Sequence, residues 1–310
     1  MTVPVLSYAA LVSRDAAITV ELLERHLGLR RTDMACVGSA AIPVFSVGEA
    51  ALAVCPPGHP LVEGEDRPGV HHIALAVADP QAAADELARK GLPIRADHPG
   101  KGLGGTARIA MDPGRTAGVR TYLSEGIALD RSASPLVERI DHLGIASTGN
   151  PAAIDVFCSR VGMALESQQT DMEVQVAIES FTSDKYGVVY HTRPATPVGG
   201  LRVAFVTAGD CELEFLQNFD PRQGGAVQHG AAGNTRQDQG AIARFVASRG
   251  PGLHHVAFKV ADIDATLSAL RRAGVQLIDA VKRPGSRRAL IGFVHPSGAG
   301  GILFHFVQRP

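Results

Sequence analysis

The 310-residue chain balances 30 Lys and Arg against 31 Asp and Glu, and its 45% hydrophobic and 20% charged residues are the proportions of a globular protein with a proper core. A formal charge of −1 offers nothing to nucleic acid or an anionic membrane, and no apolar run reaches the ~20 residues that span a bilayer. The N-terminus lacks a basic region leading into an apolar stretch, and Cys36, Cys55, Cys158 and Cys211 show no paired spacing, so a cytoplasmic protein with a small-molecule substrate is expected, not a disulfide framework or a thiolate zinc site.

In chain order, the first strand is LSYAALVS from Leu6, followed by a helix that ends near Leu27 and Gly28. HHIALAVADPQAAADELARKGLPI, His71 to Ile94, reads as strand, Asp cap, helix and Gly stop. The polar stretch Asp130 to Pro135 then separates two halves, and IDHLGIAS from Ile140 reopens the pattern. CELEFLQ is a later strand, and Gly224 to Gly240 is a Gly/Gln/Asn-rich loop with the composition of a lid or a plain connection. HHVAFKVADIDATLSALRRAGVQL, His254 to Leu277, repeats the strand and helix, with Ile263, Leu267 and Leu270 at helical spacing before Gly274; ALIGFVHP and GILFHFVQ close the chain.

Laid over each other at a shift of 183, the segments from His71 and His254 are identical at ten of 24 positions. A shift of 134 sets LSYAALVS over IDHLGIAS. The chain is therefore a duplicated half, and each half holds two units of one strand, one helix and three strands. The fold expected is α+β: four βαβββ modules with curved, mainly antiparallel sheets, divided at 1–130 and 136–310.

Four polar residues interrupt apolar strand patterns in the second half: His142 in IDHLGIA, Glu214 in CELEFLQ, His255 in HHVAFKV and His305 in FHFVQ. Each one alone reads as an ordinary strand residue. Together they occupy equivalent places in the repeat, two on opening strands and two on closing strands. Burying them requires partners, and imidazole with carboxylate suits a shared divalent ion: Fe(II), Mn, Co, Ni or Zn. The same shifts give Tyr8, His72 and Tyr122 in the first half, with Leu52 at or near the place of Glu214, and that set cannot make an ordinary metal site.

On these residues the chain resembles the vicinal oxygen chelate superfamily, which includes glyoxalase I, methylmalonyl-CoA epimerase, extradiol dioxygenases and 4-hydroxyphenylpyruvate dioxygenase. The resemblance covers residues 139–310 as a pattern and 1–130 mainly through the internal repeat. It implies two tandem domains, a metal held by His142, His255 and His305, and Glu214 as a fourth ligand. The families usually carry Glu where this chain has His305. Three activities follow. The first is an Fe(II) dioxygenase-like reaction on a catechol or 2-oxo acid. The second is a metal-dependent epimerase, isomerase or lyase with His305 or Glu214 as base, and the third is non-enzymatic binding of a small molecule. Gln217, Asn218 and Gln308 are candidates for binding substrate oxygens, and they equally suit strand-end caps. Lys282, Arg283, Arg287 and Arg288 read as a solvated loop, with an anionic tail as the lesser reading. A homodimer is compatible with the pattern.

Overall fold

The computed structural model describes residues 3–36, 38–131, 133–220 and 239–310. The first half supplies β1 (Val5–Val12), β2 (Arg31–Cys36), β3 (Ser39–Val47), β4 (Ala50–Cys55), β5 (Gly69–Ala76), β6 (Ile94–Lys101), β7 (Ala107–Met111) and β8 (Thr121–Ser124). The second supplies β9 (Val137–Ser147), β10 (Leu165–Gln175), a hairpin of β11 (Ile178–Ser183) and β12 (Gly187–Thr192), then β13 (Thr196–Ala208) and β14 (Cys211–Phe219). It ends with β15 (Gly252–Val260), β16 (Arg283–Pro284), β17 (Leu290–Phe293) and β18 (Phe304–Gln308). The helices are α1 (Ala16–Glu21), α2 (Pro80–Arg89), α3 (Asn150–Ile154), α4 (Gln239–Arg249) and α5 (Ile263–Arg272); α1 and α3 each run on into a π-helical turn.

Two eight-stranded sheets result, ordered β2-β3-β4-β1-β5-β8-β7-β6 and β10-β13-β14-β9-β15-β18-β17-β16. Each βαβββ unit contributes four adjacent strands. The two opening strands of a sheet meet antiparallel at its centre, β1 on β5 and β9 on β15. Each opening strand also runs parallel to the closing strand of its own unit, as in β9/β14 and β15/β18. The fold is thus α+β with two tandem domains of mixed, curled sheet, and the parallel pairs bring opening and closing strands side by side.

Local signals hold where they have a mechanism. Asp15, Asp79 and Asp262 each accept hydrogen bonds from backbone N–H groups in the first turn of α1, α2 and α5. Gly274 ends the last helix region at φ +78°. Strand alternation then divides the faces: Ala9 and Leu11 of β1 join the helix-side core, while Tyr8, Ala10 and Val12 point to the helix-free face. The helix-side core is continuous between the halves, taking Leu52 and Leu75 from one and Phe215 and Phe258 from the other. The projecting hairpin β11–β12 has no counterpart in the first half and was not foreseen from the sequence. The expected loop Gly224 to Gly240 lies almost wholly outside the described residues, and its end opens α4. Among the described residues, no helix is long and apolar enough to cross a membrane, and the four cysteines are free.

Candidate metal centre

Register brings the four predicted residues to the helix-free face of the second sheet. Gly144 of β9 sits opposite Glu214 on one side and His255 on the other. His142 is paired with Ala257, whose other neighbour is His305. All four side chains are buried. A Cβ on Gly144 would lie 2.0 Å from Cε1 of His255, so the glycine vacates the space that the imidazole fills.

The Nε2 atom of His142 lies 3.1 Å from Nε2 of His305 and 3.3 Å from Nε2 of His255. Glu214 Oε2 lies 3.2 Å from the first of these nitrogens and 3.5 Å from Nε2 of His255. Ligand atoms on one ion at about 2.0–2.3 Å stand roughly 2.8–3.3 Å apart when cis in an octahedron and roughly 3.3–3.8 Å apart in a tetrahedron, so the spacing fits one divalent ion. Three ring nitrogens and a carboxylate oxygen that converge so closely need a shared proton or cation among them. The group His142, His255 and His305 is buried and its ligand atoms all lie within 4.8 Å of one another.

Neighbours orient these rings. His142 Nδ1 lies 2.8 Å from Asp141 Oδ2, and Arg309 Nε donates to Asp141 Oδ1 at 3.0 Å. Such a carboxylate fixes the imidazole tautomer and leaves Nε2 as the donor atom for a metal. His254 Nδ1, 3.0 Å from His255 Nδ1, serves the second ring in the same way, and burial pushes His254 down to about 3, so that it stays neutral. Burial opposes charge on His142, but Glu214 and Asp141 overcome it and raise that ring to about 9. His305 moves the other way, held well below its ordinary value by burial and by the two other rings. Burial opposes ionisation of Glu214, yet His142 and His255 keep its carboxyl well below the usual range.

A small cleft, with a cavity volume of about 20 Å³, opens on this cluster. Phe205, Leu216, Ile291, Phe293 and Val307 give it an apolar wall, and Ser286 and Arg309 add polar groups. Ser286 begins a turn in which two consecutive arginines, Arg287 at φ 54° and Arg288 at φ 59°, take the left-handed conformation. That geometry disfavours an L side chain by roughly 1–2 kcal/mol per residue. Arg287 offsets it by stacking 3.5 Å over Phe205 and pairing with Glu166 and Glu212.

Other predicted residues fall outside the pocket. Gln217 Oε1 accepts from Asn150 N at the start of α3, and Gln308 Oε1 accepts from Ile263 N at the start of α5, both at 3.0 Å. These two glutamines are repeat equivalents that cap helices, and their oxygens are committed away from the substrate space. Asn218 is exposed and lines no part of the pocket. Lys282 pairs with Asp264 and Arg283 with Asp279, so these two and Arg287 have acidic partners, while Arg288 is exposed. In the first half, Ala10 pairs with Ala53 as Gly144 pairs with Glu214. The equivalent of Glu214 is therefore Ala53; Leu52, one residue away, belongs to the helix-side core. Asp141, Gly144, Asp171, Ser286 and Arg309 were missed as site residues. Only Asp141, beside a candidate ligand, had any local signal.

These features define a tandem-domain protein in which paired opening and closing strands bring together three buried histidines that could hold a metal ion. The superfamily model described as glyoxalase/bleomycin resistance protein/dioxygenase matches residues 141–293. The chain is 27% identical over 172 residues to the uncharacterized protein YqjC of Bacillus subtilis, covering 56% of this chain and 93% of that protein. It is 25% identical over 131 residues to mitochondrial methylmalonyl-CoA epimerase of Mus musculus, covering 42% of this chain and 64% of the enzyme. A variant of 4-hydroxymandelate synthase from Streptomyces coelicolor shares the fold along the whole chain, with a TM-score of 0.62, 16% identity and 93% of that structure covered. Over residues 141–293, just under half of its length, the chain is a member of the glyoxalase/bleomycin resistance protein/dioxygenase superfamily.

Proposed function

We propose that this protein is a metal-dependent enzyme whose small substrate binds the ion through two neighbouring oxygens, and that it acts as an Fe(II) oxygenase on a catechol or a 2-oxo acid. The observation that carries this reading is the convergence of three buried imidazoles on one point beneath an aromatic pocket. His142, His255 and His305 would hold the ion on one side, leaving up to three positions of an octahedron for a chelating substrate and O2. When bound, the ion supplies Lewis acidity and a site for oxygen chemistry. The chain's own residues do the rest. Asp141 and His254 fix the rings, Phe205 and Phe293 flank a flat substrate, and the apolar wall excludes water. The tandem fold shared along the full length with 4-hydroxymandelate synthase is consistent with such a site in one half.

Glu214 favours a second reading. Its carboxylate approaches two of the three imidazoles. As a fourth ligand it would leave two positions, enough for the substrate and none for O2, and the enzyme would then be an isomerase, epimerase or lyase. The similarity of part of the chain to methylmalonyl-CoA epimerase points the same way. Anaerobic loading with Fe(II), elemental analysis, and an oxygen electrode with catechols and 2-oxo acids test the choice. Oxygen uptake with bound iron is the expected result; turnover of a substrate without uptake would transfer the assignment to the second reading.

A further inference from the structure

Behind Ser286, which lines the pocket, lies a carboxyl that metal ligation does not use. Asp171, on β10, is 1% exposed. Gln169 Nε2 donates to its Oδ1 at 2.7 Å, and its Oδ2 lies 3.3 Å from Ser286 Oγ. Ser286 itself lines the pocket beside Glu214 and His305. Among the described residues, no cation is hydrogen-bonded to Asp171. The nearest charged influence is Glu214, of like sign, and Arg287, next along the turn, is bound to Glu166 and Glu212.

The internal repeat supplies an independent argument. At the shift of 183, the turn Gly285 to Ala289 corresponds to Gly102 to Thr106, and Arg287 and Arg288 correspond to Gly104 and Gly105, also at positive φ. The first half makes this turn with glycines and puts Leu103 where the second has Ser286; Leu103 is fully buried in the apolar filling of its sheet. Only the half with the imidazole cluster forces two arginines into the left-handed region, and only there does a hydroxyl face the cavity with a buried carboxyl behind it. Strain of this kind persists where surrounding contacts impose it, and here the Arg287 contacts pin the turn that carries Ser286.

We propose that Ser286 and Asp171 form a proton relay into the metal pocket, with Ser286 touching the chelating substrate and Asp171 taking up its proton through that hydroxyl. The proposal rests on the oxygen-chelating reading given above. The step balances without a further reactant. A substrate O–H bond breaks as its oxygen binds the ion, its proton passes to Ser286 Oγ, the hydrogen of Ser286 passes to Asp171 Oδ2, and the electron pair of the broken bond stays on the substrate oxygen. Asp171 becomes a neutral acid, and the substrate is left as the anion that a divalent ion prefers. Ser286 is the group in contact with substrate; Asp171 acts through it. Burial, reinforced by the charge of Glu214, holds the Asp171 carboxyl up at about 6, where it exchanges protons near neutral pH.

The test uses the full chain loaded with Zn(II), which is redox-silent, and 4-nitrocatechol, a probe whose visible spectrum distinguishes its neutral and ionised forms. Wild-type protein should bind the probe as an anion, with an acid limb in its affinity above the ordinary carboxylate range. Asp171→Asn should keep its zinc, release the probe's proton to solvent, move the acid limb up to the ionisation of the free probe and bind the probe about tenfold more weakly at neutral pH. Ser286→Ala should do the same, and Asp171→Glu should move the limb part of the way back. A zinc-loaded Asp171→Asn protein with the wild-type pH profile would overturn the relay alone. Wild-type protein that holds zinc but leaves the probe unbound would overturn the chelating reading together with the relay.

Discussion

Where the second half of the chain sets His142, Glu214, His255 and His305 around one point, the first half sets Tyr8, Ala53, His72 and Tyr122 at the same register positions. The helix-free face of the first sheet is a single apolar cluster that includes Ile42, Val44, Leu61, Leu103 and both tyrosines. In the second sheet that face is split into two small clusters with the polar site between them. Arg108, the repeat equivalent of Ile291 in the pocket wall, lies 4.4 Å over the ring of Tyr122 and donates to Leu61 O. A guanidinium and apolar side chains thus fill the first sheet where the second keeps a cleft over three buried histidines. One architecture can satisfy its buried polar groups in either way. Duplication lets one copy become a packed support while the other keeps strained, polar and open features that reduce stability.

The comparison can be broken most severely at His305. Converting it to the first half's residue, His305→Tyr, should lower metal affinity by about 100-fold or more, while His305→Glu, which restores a carboxylate, should retain the ion. Isothermal titration with Zn(II) separates the two; near-wild-type affinity in His305→Tyr would make the imidazole a packing residue. Gly144→Ala installs the side chain of Ala10, and its Cβ would occupy the space of the His255 ring. A loss of about tenfold to 100-fold in metal affinity is expected, together with a lower melting temperature, because the displaced ring overpacks a buried site.

From the other side, Arg108→Ala should destabilise the protein by about 2–4 kcal/mol in urea unfolding, because it leaves a cavity and removes a buried donor. Metal content should not change. The smallest effect concerns Asp171, whose folded-state carboxyl is raised to about 6 from the ordinary aspartate value of 3.8. A raised value means that the protonated form favours folding below the unfolded value, and that this stability is lost as pH rises through about 6. Asp171→Asn, which stays neutral, should therefore stabilise the protein by about 1–2 kcal/mol above that pH, with the gain fading toward pH 4. A gain that does not vary with pH would contradict the assignment.

Much of this was legible in the sequence because repeats turn weak signals into strong ones. His255 alone is a strand histidine; matched to His72, and placed with His142, Glu214 and His305 at equivalent points of four units, it becomes a ligand. The period-two alternation of IDHLGIA and HHVAFKV fixed which side chains share a face, and the Asp caps marked the helix starts. What escaped depends on register between strands or on contacts far apart in sequence. The sequence places the equivalent of Glu214 at or near Leu52, and the β1/β4 pairing selects its neighbour Ala53. For Gln217 and Gln308 the sequence leaves substrate binding and capping open, because nothing local shows that they reach helix starts 67 and 45 residues away. Asp171 lies in a polar strand, QQTDMEV, where an acid is unremarkable until Ser286, 115 residues later, is folded against it.

The central claim is that one half of this duplicated chain binds the metal and the other does not. It is tested most directly by elemental analysis of anaerobically purified protein, combined with a crystal structure in which anomalous scattering locates the ion. The account predicts one divalent ion per chain, bonded to Nε2 of His142, His255 and His305 at about 2.0–2.3 Å, and none near Tyr8, His72 and Tyr122. An ion bonded in the first half, or protein that binds none after loading, would contradict it.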